Sequence, residues 1–215
     1  MQIRQLLIIV LALSGILLSW YAYDQIPMET IATHWNTLGE ADGHMPKLHG
    51  LFLLPSLSIV LTIFFFIIPH LDPLKKNIAE FRKYYDGFII VFLVFMLYIQ
   101  ALVITWNMGW MYNMFTAIMP GLSLLFYYLG IMMEHSKRNW FIGIRTPWTL
   151  SSPKVWDKTH KLGSMLFKAL AGYFLILVFL ETWIQEYMFF VFLIPVLGVA
   201  FGLVAYSYWA YSKQD

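Results

Sequence analysis

Residues 87–106 read GFIIVFLVFMLYIQALVITW, twenty consecutive positions without a charge. A helix of about 20 apolar residues crosses a hydrocarbon core of about 30 Å, so this stretch reads as a membrane span. Its one amide, Gln100, sits well inside. There a glutamine is more often a hydrogen bond between packed helices than a binding group.

Five more segments of this kind lie at roughly 4–23, 50–69, 112–133, 164–183 and 187–211. The 215-residue chain is 60% hydrophobic, 19% aromatic and 12% charged, about half the charge fraction of a soluble domain. The expected fold is an all-α integral membrane protein with six transmembrane helices. Three units follow. Residues 1–69 form a two-span N-terminal unit with a structured outer loop at 24–49, and residues 70–133 hold spans three and four. Residues 134–215 hold a long loop, 134–163, and the last two spans. Pro120-Gly121 predicts a kink in span four. Arg4 and the apolar run to Trp20 imitate a signal peptide, but Tyr21-Ala22-Tyr23-Asp24 lacks a small-x-small cleavage pattern, so an uncleaved first span is expected.

Thirteen of the fourteen lysines and arginines fall on one side of this six-span arrangement; only Lys47 falls on the other. The basic side is expected to be cytoplasmic, with both termini inside a multi-pass plasma-membrane protein. The loop carrying Asp24, Glu29, Glu40 and Asp42 then faces outward.

Several functions lack the residues they need. The chain has no cysteine, so disulfides, thiolate metal sites and thiol nucleophiles are excluded. Asp86, Lys168 and Glu181 lie near span ends, and no ionisable group sits at mid-membrane, where pumps and coupled transporters place one. Nor is there an inverted repeat of broken helices. A small permease would have to rest on Gln100 with Thr105 or Ser123, and it stays as an alternative. His34, His44 and His49, with Glu29, Glu40 and Asp42 nearby, match no metal-ligand spacing. No metal, cofactor or catalytic residue is assigned, and the chain is not expected to be an enzyme.

Two loops carry the information. In the outer one, Thr30–Trp35 alternates weakly and reads as extended, and Gly39 with Asp42-Gly43 supplies turn positions. His34, Trp35 and Asn36 read as a membrane-surface turn with Trp35 in the aromatic belt; with Gly39 and Asp42 they are also the candidate outer recognition surface. The inner loop contains RNWFIGIRTPWTLSSPKVWDKTH at 138–160. Arg145-Thr146-Pro147 must be extended, and Ser152 caps a helix with Pro153 at its first position. Val155, Trp156, Thr159, His160 and Gly163 follow at helical intervals. A short interfacial helix leading into span five is expected, with Asp157 and Lys161 placed to pair. Arg145 carries five donors in a fixed fork and, in a buried polar cluster, wants carbonyls or a carboxylate such as Asp157 or Glu134. Asn139, Arg145, Thr146, Pro147, Trp148, Trp156, Lys158 and His160 are therefore candidates for a clasp between loop and bundle, or for a docking surface. Arginine, lysine and tryptophan together also suit nucleic acid. Lipid headgroups account for those residues, so no direct nucleic-acid contact is expected.

NWFIGIRTPWTL (139–150) followed by VWxKTHxLG (155–163) resembles the signature of the SdpI-type immunity proteins. IP (26–27) followed by HWNxxGxxDG (34–43) is similar to the N-terminal domain of unknown function that accompanies it. The resemblance implies a multi-span plasma-membrane protein that protects its producer from a secreted, membrane-attacking peptide toxin. It also implies signalling, in which toxin engaged outside lets the protein hold a cytosolic repressor at the membrane. Expected partners are thus a secreted peptide toxin at the outer face, a cytosolic repressor protein at the inner loop, and membrane lipids. It implies no cofactor and no catalytic residue. Ser151-Ser152-Pro153 stands where the resemblance leads one to expect acidic residues, and a serine cap does the same structural job. The bland alternative is a structural membrane-integrity protein whose loops serve only its own fold.

Overall fold

The computed structural model describes residues 3–36 and 38–214. Met1, Gln2, Thr37 and Asp215, which fall in the expected N-terminal unit, outer loop and C-terminal unit, lie outside the described residues. Six helices are long and apolar enough to cross a membrane: α1 (Ile3–Gln25), α2 (Lys47–Leu71), α4 (Arg82–Asn107), α5 (Met114–His135), α7 (Pro153–Ile184) and α8 (Met188–Ser212). They run alternately up and down. One end of the bundle carries an antiparallel hairpin, β1 (Thr30–Trp35) and β2 (Ala41–Pro46). The other, basic end carries two short helices, α3 (Lys75–Glu80) and α6 (Pro147–Ser151). The hairpin's second strand and α3 go beyond the sequence reading, because neither has a periodic apolar face.

Local chemistry sets the helix ends. Helix α1 stops ahead of Ile26-Pro27, as the residue before proline avoids the α region, and the Ile26 N–H closes on Ala22 O at 3.1 Å. Asn113 starts α5 by accepting the Thr116 N–H on Oδ1 at 3.2 Å. Ser152 stands before α7 as expected, with the Val155 N–H 3.4 Å from its Oγ.

The interfacial helix differs from expectation. It is the first part of α7, which runs unbroken to Ile184. Thirty-two residues span about 48 Å, so the opening turns, with Lys154, Asp157, Lys158 and Lys161, reach beyond the hydrocarbon core. Contacts along α5 keep α7 continuous. Ser123 Oγ donates to Ala171 O at 2.8 Å, Lys168 pairs with Glu134 at 2.6 Å, and Trp156 Nε1 donates to Ser136 O at 3.1 Å.

Proline organises the interior. Pro55 and Pro69 lie in α2, Pro120 in α5 and Pro195 in α8. Each lacks the N–H that would bond the carbonyl four residues earlier. Leu51 O, freed by Pro55, accepts from Ser19 Oγ of α1 at 2.7 Å and from Gln100 Nε2 of α4 at 2.9 Å. Phe65 O, freed by Pro69, accepts from Tyr85 Oη of α4 at 2.9 Å. Val191 O, freed by Pro195, accepts from Tyr173 Oη of α7 at 2.8 Å. Beside Pro120, Ala117 O takes Tyr98 Oη of α4 at 2.6 Å. Gln100 is thus a packing residue, as the sequence suggested.

Removing the buried Tyr85 hydroxyl as Tyr85→Phe should cost about 1–2 kcal/mol, the penalty of an orphaned acceptor. In a Pro69→Ala background the same change should cost almost nothing, since an alanine at that position restores the backbone donor. Denaturation of the four proteins in detergent reads this directly, and additive losses would refute the link.

Candidate functional site

At the hairpin end, Ile26, Ile31 and Ala32 are buried, the first two packed with Ala22, Leu51 and Ile104. Asn107, the last residue of α4, clips the hairpin in place. Its Oδ1 accepts the Ala32 N–H at 2.8 Å, and its Nδ2 donates to Ala32 O at 3.0 Å and Val103 O at 2.8 Å. One amide therefore completes the edge of β1, where a second strand would otherwise be needed. The tip is fixed from two sides. Asn36 Oδ1 accepts the Leu38 and Glu40 N–H groups, and Asn113 Nδ2 donates to Leu38 O at 3.3 Å. Gly39 has φ +82° and lies flush on Asn113, where a Cβ would come within 2.6 Å of its side chain.

On the exposed face His34 and Asp42 pair across the strands at 2.5 Å. Among the described residues, no three of His, Cys, Asp or Glu group closely enough to hold a metal. Trp35 packs on a second tryptophan. It is half-buried, edge-on to Trp106 at 5.4 Å between centroids. Beside the hairpin a groove of about 370 Å³ is lined by Met28, Ala32, His44, Trp106, Met108 and Met111, among others. Met28, Met108 and Met111 are exposed, as is the adjoining Trp110.

At the basic end the long loop is knotted on itself and onto three helices. Asn139 is wholly buried; its Oδ1 accepts the Phe141 and Ile142 N–H groups, and its Nδ2 donates to Lys137 O and Ile142 O. His160 Nε2 accepts the Ile144 N–H at 2.9 Å, while Nδ1 faces Trp156 O at 2.9 Å. A carbonyl only accepts and an amide N–H only donates. The imidazole is therefore neutral, with its proton on Nδ1. It stacks on the Trp156 ring at 3.9 Å. Gly143, at φ +106°, lies against it, and a Cβ there would overlap Nε2. Thr146 and Thr149 cap each other at the start of α6, and Thr146 Oγ1 lies 2.9 Å from Ser207 Oγ of α8. Trp148 packs on Tyr208, and Gln214 Nε2 donates to Ser152 Oγ at 2.7 Å.

The eight inner candidates therefore divide. Asn139, Thr146, Trp156 and His160 are buried clasp residues and Trp148 is half-buried, whereas Arg145, Pro147 and Lys158 are exposed. Arg145 is exposed rather than buried as expected, and of its two expected kinds of partner it uses a carbonyl. Its guanidinium donates to Trp140 O at 2.9 Å, Glu134 belongs to Lys168, and Asp157 is exposed. A solvated guanidinium avoids the desolvation cost that a buried ion pair must offset. Nor do Asp157 and Lys161 pair; the ion pairs among the described residues are His34–Asp42, Arg82–Asp86 and Lys168–Glu134.

The second loop supplies residues that sequence reasoning missed. Buried Asp72 accepts the Leu74 N–H at 2.6 Å and the Trp140 N–H at 2.8 Å, one on each oxygen, and Asn77 Nδ2 donates to Arg138 O at 2.7 Å. Ser136, Thr149 and Ser207 are likewise clasp members. Thr149 acts locally as the partner of Thr146 in the cap, whereas no local pattern marks Asp72, Asn77, Ser136 or Ser207, whose partners lie up to 68 residues away.

The SdpI/YfhL protein family matches residues 136–207, from the serine that accepts from Trp156 to the serine that meets Thr146. A domain of unknown function, DUF1648, matches residues 9–59, which include the hairpin. In both segments the chain is similar to SdpI-type membrane proteins. Over 203 residues it is 24% identical to the immunity protein SdpI of Bacillus subtilis (strain 168), covering 94% of this chain and 91% of that one. No solved structure matches it. Similarity to SdpI-type proteins and six apolar helices make it a multi-pass plasma-membrane protein.

Two measurements separate clasp from surface. Gly143→Ala combines a strained φ with overlap on His160, so it should cost about 2–4 kcal/mol, whereas Arg145→Ala should stay within about 0.5 kcal/mol. Melting temperature and trypsin cleavage at Lys137–Arg138 report both, and a stable Gly143→Ala would refute the packing. Asn107→Leu leaves Ala32 unpaired and should speed hydrogen exchange along β1 by about tenfold or more. An unchanged rate would mean that Ile26 and Ile31 alone hold the hairpin.

Proposed function

We propose that this SdpI-type chain is an immunity protein that meets a secreted peptide toxin at its hairpin end and holds a cytosolic repressor at its basic end. The groove beside the hairpin carries the reading. Methionine and tryptophan line it, and flexible thioethers suit an apolar peptide whose side chains need not fit a rigid mould. The hairpin wall is rigid, because Asn107 and Asn113 hold its edge and tip.

The bundle between the ends supports binding over transport or catalysis. Ser19, Ser123, Tyr173 and the Nε2 of Gln100 are committed to carbonyls of neighbouring helices, which leaves few free polar groups, Gln100 Oε1 and Thr116 Oγ1 among them, for a midplane site. The distribution of lysine and arginine supports a cytoplasmic position for the knotted loop. There the clasp presents Trp140, Phe141, Arg145 and Lys158 outward on a fixed backbone, an arrangement suited to a protein partner. The protein acts by binding, with no catalytic residue.

The test uses a strain lacking the gene, challenged with the secreted peptides of a toxin-producing relative. Wild type should restore survival, and Met28→Ser/Met108→Ser/Met111→Ser at equal membrane abundance should lose at least tenfold of it. Equal survival would sink the outer-face reading. In parallel, Trp140→Ala/Arg145→Ala should protect normally but fail to capture a DNA-binding partner by crosslinking after challenge. Capture by this variant would remove the inner-loop assignment.

A further inference from the structure

The basic end has a second concave surface that the clasp does not use. Between the end of α2 and the start of α4, α3 and its flanking turns frame an open groove of about 490 Å³. Pro69, His70, Lys75, Lys76, Ile78 and Arg82 line it, with Ala79. Three of these side chains are standing cations. Arg82 commits its Nε to the buried Asp86 at 2.6 Å, and its two terminal nitrogens remain as donors. Lys75 and Lys76 are exposed, and their ammonium groups have no hydrogen-bond or ion-pair partner among the described residues. No carboxylate lines the groove. Glu80 lies in a neighbouring groove beside Asn77 and Arg138, and Asp72 is occupied by the Leu74 and Trp140 amides. The result is a basic recess with an apolar floor of Pro69 and Ile78, both buried.

Its position narrows the ligand. Two spans end here, so the groove lies at the depth of the lipid headgroups. Below it, Leu71, Ile67, Phe64, Val60, Leu57 and Leu53 are all exposed. They recur at steps of four, three, four, three and four, which is one face of α2. That face meets acyl chains in a bilayer and ends at Leu71, next in sequence to the groove-lining His70. A free anion would account for the lysines but not for the apolar track.

We propose that the recess of Lys75, Lys76 and Arg82 binds the phosphate headgroup of an anionic phospholipid, whose acyl chains lie along the Leu53–Leu71 face of α2. Basic pockets between spans hold anionic headgroups by charge-assisted hydrogen bonds to phosphate. A zwitterionic headgroup would bring its own cation against Lys75 and Lys76 and bind less well. The site is separate from the groove at the hairpin end; it shares α3 with the clasp through Asn77, but none of its cations takes part in the clasp.

Full-length protein in mild detergent is titrated with phosphatidylglycerol, phosphatidylcholine or inorganic phosphate, reading melting temperature and lipid retained after washing. Phosphatidylglycerol should raise the melting temperature and stay bound, and the other two should not. Lys75→Gln/Lys76→Gln should melt like wild type without added lipid, as both side chains are exposed. Its phosphatidylglycerol affinity should fall on the order of thirtyfold, the expected contribution of two surface lysines. Lys154→Gln/Lys161→Gln removes the same charge from the same end and should retain the lipid. Three results would each overturn the proposal: unchanged binding in the first variant, equal loss in both, or a full shift by inorganic phosphate alone.

Discussion

Inside a bilayer a backbone carbonyl without a donor has no water to turn to, and each such group costs several kcal/mol. This constraint shapes the bundle, because prolines in its spanning helices free carbonyls that other helices must satisfy. Ser19 and Gln100 answer Leu51, Tyr85 answers Phe65, and Tyr173 answers Val191. With Tyr98 on Ala117 and Ser123 on Ala171, these bonds link α1, α2, α4, α5, α7 and α8 in a continuous series. Van der Waals packing alone would leave helix order and register weakly specified in lipid, where apolar faces gain little by meeting each other. Directional bonds to freed carbonyls specify both.

Function moves to the ends as a consequence. Most polar side chains inside the bundle are bonded to neighbouring helices, and the unpaired atoms, such as Gln100 Oε1 and Thr116 Oγ1, are scattered. At each end the same physics is applied to loop backbone. Asn107 completes a strand edge, while Asn139, Asp72 and His160 satisfy the turns of the long loop. A loop whose amides and carbonyls are bonded from within is rigid, and the side chains left outside are presented in fixed positions. The family match to residues 136–207 spans this knot and its anchor on α8. The basic groove near α3 is the converse case, with cations left unsatisfied by the protein.

Six spans, the crowding of positive charge on one side and the helix start at Ser152-Pro153 were legible in the chain, since each depends on local composition or on one residue's backbone preference. The inner motif was legible too, through its resemblance to SdpI-type proteins, as was the packing role of Gln100, because an amide buried in lipid must find a partner. Tertiary structure alone decided which motif residues are clasp and which are surface. Asn139 and Arg145 look equally suited to hydrogen bonding in the sequence, yet one is buried and the other solvated, because the amide can be satisfied by neighbouring backbone and the guanidinium cannot be buried without a carboxylate that Lys168 has already taken. The roles of Asp72, Asn107 and Ser207 were hidden for a related reason: each bonds a group 61 to 75 residues away, and only the folded bundle brings them together.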